Sequence, residues 1–355
     1  MSQSSELWAK LRDHELVEGE PPERGEIDSP WYVKTLLGVS AWIASILLFA
    51  FIALVFDRLF DNVQACLIIG GFMVAAAFYI FRQKGSDFLE HLGLAVSLAG
   101  QVLIVIGVLQ MTDESWFWIW ALCAVLNLVL SLIMSNFVHR VFSSFFAAFS
   151  FSMALHEIGI AYLFSGIVML VGAWIWLNEF KRPRHQKMFN AIGYGLVLAM
   201  IQIKGSALFL QGERFWGSAA NVTDYGIRPW MGEALSCAAL LYVVWQVLRK
   251  YQVGLASPIA LMAFVSTLVI GLASLEANGI NVGLMIIILG FSSSNRVLIG
   301  LGIVSLLFYV SAYYYFIEIT LLEKSMTLLI IGVMLLLIRW LLLHSSIFNQ
   351  ELSDA

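Results

Sequence analysis

One lysine lies deep inside an apolar segment of this sequence, where a charged side chain is costly. Lys204 lies about 24 Å along the segment Met188–Gln211, at about 1.5 Å per residue. Glu233 lies near the start of the next apolar segment, Trp230–Leu248, and reaches a similar depth if the two segments run antiparallel. Because an intramembrane lysine is expensive unless paired, we expect an ion pair between them. The alternative is that Lys204 extends to the membrane surface without a partner.

Further titratable residues fall at the same predicted outer end of the chain. We therefore predict a polar site in the outer half of a helical bundle, made of Lys204, Glu233, His156, Glu157, Glu276 and Glu318. Acids outnumber bases in the predicted outer regions, so that face should attract cations or a basic partner. The simpler interpretation of Glu318 is a hydrated carboxylate at the interface.

A second candidate site lies at the opposite, predicted inner face. It comprises the start of the segment Val297–Ile319 and one arginine of the following segment: Ser292, Ser293, Ser294, Asn295, Arg296 and Arg339. Free backbone N–H groups and the positive end of a helix attract anions, so this group could hold an anionic lipid headgroup. The alternative is an ordinary Ser/Asn helix cap beside arginines that set the topology.

Known catalytic and metal-binding patterns are absent from the sequence. It contains no phosphate-binding Gly-x-x-x-x-Gly-Lys loop, His-Glu-x-x-His, Gly-x-Ser-x-Gly or Cys/His cluster. Cys66, Cys123 and Cys237 lie inside apolar runs and are expected to be buried apolar side chains. Ser143 and Ser144 have no obvious base beside them. We therefore expect no cofactor, no metal and no nucleic-acid binding, and an enzyme is the least favoured class.

The composition requires that these residues be held by membrane helices. Hydrophobic residues make up 60% of the 355-residue chain and charged residues 12%, against about 25% in soluble domains. The sequence contains twelve apolar segments, without the alternation of a barrel strand: Val33–Phe56, Val63–Phe81, His91–Gln110, Trp116–Met134, Val141–Leu155, Ile160–Leu177, Met188–Gln211, Trp230–Leu248, Pro258–Leu275, Ile280–Phe291, Val297–Ile319 and Met326–Leu343. We predict an all-α, polytopic transmembrane bundle of about 12 spans. The tenth segment, Ile280–Phe291, is shorter than the hydrocarbon core, which leaves two alternatives: a re-entrant segment, or a span extended by Ser292–Ser294.

Small and polar residues inside the segments predict how the helices pack. Gly71/Ala75, Gly93/Ser97 and Ala191/Gly195/Ala199 recur at four-residue spacing, which is typical of close helix contacts. The polar residues Gln101, Asn127, Gln202 and Gln246 are expected to form hydrogen bonds between helices.

Basic residues set the predicted orientation and the domain boundaries. Fifteen of the 20 lysines and arginines fall in segments that are cytoplasmic if the N-terminus is inside, which predicts that both termini are cytoplasmic. An acidic tail with a short amphipathic helix occupies residues 1–30, and a tail occupies residues 346–355. The basic loop 179–187 separates two membrane halves of six spans each, at residues 31–178 and 188–345.

The C-terminal quarter carries motifs of a known family. These are Gly290-Phe291, Asn295-Arg296-Val297-Leu298, Gly300-Leu301-Gly302, Tyr313-Tyr314-Tyr315, Thr320-Leu321-Leu322, Lys324-Ser325 and Arg339-Trp340. With them, the chain resembles a bacterial membrane family known as domain of unknown function 4401. The resemblance implies a multi-pass location in the bacterial inner membrane and no assigned activity. It also implies a periplasmic, membrane-anchored partner of the GDYXXLXY-named family.

Two functions are compatible with these features. The first is a non-enzymatic module that binds or stabilises a partner at its outer face. The second is a secondary transporter or permease for a small solute, for which a helix interrupted inside the membrane would be favourable. A membrane-embedded enzyme is a third and weaker hypothesis.

The basic residues allow a direct test of topology. Reporter fusions after Lys187, Arg249 and Ala355 should report the cytoplasm, and a fusion at Val222 the outside, because basic loops are retained inside. The readout is paired alkaline phosphatase and green fluorescent protein activity. A cytoplasmic signal at Val222 would contradict the twelve-span arrangement.

Overall fold

The described part of the chain is helical throughout, without a strand. The computed structural model describes residues 31–55, 60–83, 87–111, 115–181, 185–210, 229–274, 279–316 and 320–344. In chain order the α-helices of these residues are α1 (Trp31–Val55), α2 (Val63–Arg82), α3 (Asp87–Leu109), α4 (Trp116–Ile133), α5 (Phe137–Glu157), α6 (Ala161–Leu177), α7 (Gln186–Leu210), α8 (Pro229–Lys250), α9 (Pro258–Ala273), α10 (Ile280–Ser292), α11 (Arg296–Phe316) and α12 (Leu321–His344).

Each predicted apolar segment coincides with one of these helices, which confirms the all-α class. Six helices are long and apolar enough to cross a membrane within the described residues: α2, α4, α5 and α8, with α3 and α7 in the parts Leu89–Leu109 and Gln186–Ser206. Four shorter apolar helices lie in α6, α9, α10 and α11. The chain is therefore a helical membrane protein. That all twelve helices cross the bilayer, and in which direction, stays a prediction.

Side-chain caps account for several helix starts. Asn62 accepts from the backbone N–H of Ala65, and Asn136 accepts from that of His139, so that each satisfies one free donor of a first turn. The Asn136 cap starts α5 at Phe137, four residues before the predicted segment. Consequently His139 lies inside the helix.

The helices form hairpins that join through one central group. The pairs α2–α3, α4–α5 and α10–α11 pack along their lengths, and α1 packs against α3. Across the basic loop, α5 packs against α7 and α6 packs against α8. The main apolar core lies among α5, α6, α7, α8, α10 and α11, with Met169, Met200, Leu240 and Met285 at its centre. These helices hold the candidate outer site.

Small residues lie at close helix contacts in two of the three predicted patterns of four-residue spacing. Gly195 of α7 lies against the α5 backbone at Val141 and Phe145, and Gly93 lies against Phe81 of α2. The stripe Gly71/Ala75 is instead exposed, with no atom near the position of a Gly71 Cβ. Its neighbour Gly70 makes the close contact, against the Gly100 carbonyl. The prediction at Gly71 was therefore wrong by one residue.

Gly195 provides a test of the α5–α7 contact. A Cβ at this position would lie 2.5 Å from the Val141 carbonyl oxygen and even closer to the Ser144 hydroxyl, so the backbones must separate. We expect Gly195→Ala to destabilise the protein by roughly 1–3 kcal/mol, the usual cost of overpacking. The measurement is the midpoint of thermal unfolding in detergent. Gly300→Ala is the matched control because its Cβ meets no atom within 4 Å; equal midpoints for the two variants would contradict the contact.

Candidate functional site

The structure joins Lys204 and Glu233 in the interior of the bundle. Lys204 Nζ donates to Glu233 Oε1 in a hydrogen-bonded ion pair, and each residue is 5% exposed. Lys204 lies near the C-terminal end of α7 and Glu233 one turn into α8. An isolated buried charge costs several kcal/mol, so each group supplies the opposite charge that the other needs in the interior. Lys204 therefore does not extend to the membrane surface unpaired, the alternative considered for it.

The pair joins two helices whose backbones do not approach each other closely. Both α6 and α10 pack against α7 and α8, whereas α7 and α8 approach each other little along their backbones. The two long side chains therefore connect α7 and α8 where four helices meet. Such junctions between helices of a bundle are common places for ligand sites.

The second oxygen of the Glu233 carboxylate has no hydrogen-bonding partner among the described residues. Oε2 is buried, while Oε1 takes the bond from Lys204. Cys237 and Tyr309 are both within electrostatic range of this carboxylate. The Tyr309 hydroxyl donates instead to the Ile201 carbonyl at 2.9 Å. Oε2 thus retains its full capacity to accept a hydrogen bond.

A short helix begins beside Tyr309. Gly279 has φ of +97°, and a Cβ there would clash with the Tyr309 ring, so only glycine fits this position. The helix that follows, α10, has 13 residues and is about 20 Å long, short of a hydrocarbon core of about 30 Å. The tenth segment is therefore short, as the sequence indicates.

The first turn of α10 places an unpartnered amide inside the protein. Asn281 is 0% exposed, and neither its Oδ1 nor its Nδ2 has a hydrogen-bonding partner in the described chain. Leaving such a group unpaired costs about 1–3 kcal/mol, so an orphaned buried amide requires a specific explanation. Asn281 and Glu233 leave one amide and one carboxylate oxygen available near the starts of α10 and α8, at the predicted outer side.

The other predicted members of the outer site are not joined to the pair. His156 and Glu157 lie at the C-terminal end of α5, where His156 is exposed and Glu157 is partly buried. No hydrogen bond or ion pair links either of them to Lys204 or Glu233 in the described chain. Glu276 and Glu318 lie outside the described residues.

The predicted inner-face group has the geometry of a helix cap. Asn295 Oδ1 accepts from the backbone N–H groups of Val297 and Leu298, at 3.1 and 3.2 Å, and its Nδ2 donates to the Tyr194 hydroxyl at 2.7 Å. The hydroxyls of Ser292 and Ser293 donate to the Leu289 carbonyl. These contacts use the groups that an anion would need, which favours the capping alternative.

Ser294 and Arg296 add no side-chain hydrogen bond to this cap among the described residues. Ser294 adopts a left-handed backbone conformation with φ of +54°, and Arg296 is exposed. The Arg339 side chain lies outside the described residues. The anion site therefore stays a prediction.

The sequence analysis missed a buried polar network around His139. The Ser97 hydroxyl lies 2.7 Å from His139 Nε2, the Ser143 hydroxyl lies 3.1 Å from Nδ1, and Gln101 Nε2 donates to Ser97. The expectation that Ser143 has no base beside it was therefore wrong. The signal was the four-residue spacing of Ser97/Gln101 and of His139/Ser143, which places each pair on one helix face.

Three polar residues expected to bridge helices bond locally instead. Gln101 bonds to Ser97, Asn127 Nδ2 donates to the Cys123 carbonyl, and Gln246 bonds to Tyr242, all four residues away in the same helix. Gln202 is exposed. A partner one turn away on the same helix is available without any tertiary contact, and for these side chains it competes with an interhelical partner.

Comparison with known families identifies one match. A family model described as Domain of unknown function (DUF4401) matches residues 30–345, nearly the whole chain. Comparison with curated proteins and with solved structures finds no match. The match extends well beyond the C-terminal quarter in which the sequence motifs lie.

The ion pair makes a charge-exchange prediction. Lys204→Glu and Glu233→Lys should each lower the yield of monodisperse protein, because two like charges then share a buried site, and breaking a buried pair costs about 3–5 kcal/mol. The double exchange should restore the yield. The measurement is fluorescence-detected size-exclusion chromatography. Lys181→Glu, at an exposed lysine, is the control; single variants that behave like it would contradict a stabilising pair.

Proposed function

The chain belongs to the DUF4401 family, and on that premise we propose that it is a multi-pass carrier of the bacterial inner membrane. It binds a small polar solute beside the Lys204–Glu233 pair. The observation that carries this proposal is that two buried groups, Glu233 Oε2 near the start of α8 and the Asn281 amide in the first turn of α10, have no hydrogen-bonding partner among the described residues, on two helices that pack against each other. A protein without a ligand there would gain stability by replacing Asn281 with an apolar residue.

The chemistry of the two groups indicates the class of solute. An ionised carboxylate accepts hydrogen bonds and donates none, so Glu233 Oε2 suits an amino group. Asn281 offers both a donor and an acceptor and suits a carbonyl or hydroxyl oxygen. The solute class is therefore a small molecule that combines an amino group with a neutral oxygen. Lys204 balances the Glu233 charge while the site is empty.

The helix arrangement supports transport more than static binding. Carriers commonly bind their solutes where a helix ends inside the membrane, because a free helix end leaves polar groups there. Here α10 begins beside Tyr309 and is too short to span the hydrocarbon core. The backbones of α7 and α8 approach each other little, so in the proposed carrier the bundle opens between these two helices when the ion pair is exchanged.

The partner-binding hypothesis has less support from the described residues. It rests on the acidic outer face and on the polar segment 211–228, which lies outside them. The partner of the GDYXXLXY-named family stays a prediction. A carrier explains the orphaned groups at the outer ends of α8 and α10, whereas a surface module leaves them unexplained.

Thiol labelling tests whether the Asn281 site is open to solutes. We expect Asn281→Cys, in a chain with Cys66, Cys123 and Cys237 replaced by alanine, to react with a small hydrophilic methanethiosulfonate reagent in membranes. The reason is that a carrier site must admit water and solute. Compounds with an amino group and a neutral oxygen should slow the reaction, and the active ones should then be taken up by proteoliposomes.

Met285→Cys is the matched control, because Met285 lies one turn further along α10 and is fully buried in the apolar core. If Asn281→Cys is labelled no faster than Met285→Cys, position 281 is not accessible to solutes. Such a result would overturn the carrier proposal.

A further inference from the structure

An apolar groove lies on a different part of the bundle, among α4, α5, α6 and α7. Its cavity has a volume of about 400 Å³, and its walls include Leu128, Ala147, Val171 and Leu196, one from each helix. Leu128 and Val171 are exposed, so the groove opens at the surface of the bundle. That volume falls within the usual range for ligand pockets, about 300–1,000 Å³.

The two hydroxyls in the wall do not make the groove polar. Ser131 donates to the Leu128 carbonyl at 2.7 Å, and Ser144 donates to the Arg140 carbonyl at 2.8 Å. Both hydroxyl hydrogens are therefore used within their own helices. An occupant of the groove meets apolar side chains along its whole length.

An arginine lies just beyond one end of the groove. The α5 residues that line it are Ser144, Ala147, Ala148 and Phe151, which stand 4, 7, 8 and 11 positions after Arg140. This spacing places Arg140 on the same helix face, one turn beyond the groove. Its Nε is buried and has no hydrogen-bonding partner among the described residues. Long side chains of a helix lean toward its N-terminus, which directs the guanidinium toward the predicted inner surface.

The length of the groove matches one leaflet of a bilayer. Along α6 its walls extend from Phe164 to Ile175, which is about 16 Å at about 1.5 Å per residue. Half of a hydrocarbon core of about 30 Å is about 15 Å. An acyl chain that enters from the inner leaflet would therefore fill the groove and leave its headgroup beside Arg140.

We propose that this groove binds an anionic phospholipid, with one acyl chain between α4, α5, α6 and α7 and its phosphate on Arg140. Three observations agree on this occupant: an apolar wall one leaflet long, an opening to the bundle surface, and one unpartnered guanidinium nitrogen at the end. A guanidinium binds phosphate oxygens through charge-assisted hydrogen bonds. This site uses none of the residues of the predicted inner-face group and none of the proposed carrier site.

Native mass spectrometry of the full chain tests the site. The protein is reconstituted in nanodiscs that hold equal amounts of phosphatidylglycerol and phosphatidylethanolamine, released, and scored for bound lipid. The wild type should retain phosphatidylglycerol. Arg140→Gln should lower its retention about fivefold relative to phosphatidylethanolamine, the factor for one basic residue at an anionic surface. Val171→Trp, which fills the groove from an exposed position, should remove both lipids.

Two variants at positions outside the groove control for general effects of losing an arginine and of adding a ring. Arg249→Gln removes an exposed arginine at the predicted inner end of α8, and Val265→Trp adds a ring at an exposed position of α9. Both should retain lipid as the wild type does. If Arg140→Gln and Val171→Trp behave like these controls while eluting as monodisperse protein, the site does not exist. If the two variants misfold, a diazirine-labelled phosphatidylglycerol on the wild type decides: crosslinks within Phe164–Ile175 support the site, and their absence there overturns it.

Discussion

The cost of holding a lysine inside the membrane constrains this end of the bundle. Lys204 and Glu233 are each 5% exposed and bonded to one another. Each charge alone would be costly by several kcal/mol, so neither side chain can leave unless another group replaces it. Because the backbones of α7 and α8 approach each other little, the bond between these two long side chains is a direct connection between the helices. In the proposed carrier, a solute that competes for Glu233 would loosen this connection, so that binding and helix movement would be coupled.

Much of the fold could be predicted from the sequence, because the hydrocarbon core allows few structures. Each of the twelve apolar segments coincides with a helix, and the shortness of the tenth is visible from its length alone. Helix packing was harder to predict. The contact at Gly70 rather than Gly71 depends on which face of α2 meets α3, and two adjacent glycines do not distinguish those faces. The start of α5 depended on the Asn136 cap, which apolar content does not reveal.

The candidate site was predicted in part, and the reason is physical. Charged residues such as Lys204 and Glu233 are rare inside apolar segments, and few acids lie at a depth where they could pair with Lys204. Asn281 and Tyr309 carry no such signal, since a neutral amide or phenol is common in membrane helices. Their importance becomes visible only in the structure. The Asn281 amide has no partner among the described residues, and the Tyr309 ring packs against Gly279. The inner-face group shows the opposite case, because the residues that suggest an anion site also form a good cap for α11.

Two buried polar clusters of this protein differ in whether their hydrogen-bonding groups have partners. Around His139, both ring nitrogens lie within hydrogen-bonding distance of serine hydroxyls, and Gln101 binds one of those hydroxyls. A satisfied network of this kind rigidifies a helix pair and has little left to offer a ligand. At the predicted outer ends of α8 and α10, Glu233 Oε2 and both polar atoms of Asn281 lack partners within the described chain. A buried polar group without a partner costs about 1–3 kcal/mol, so these groups lower the stability of the chain by itself. In the proposed carrier, a solute would supply the missing hydrogen bonds.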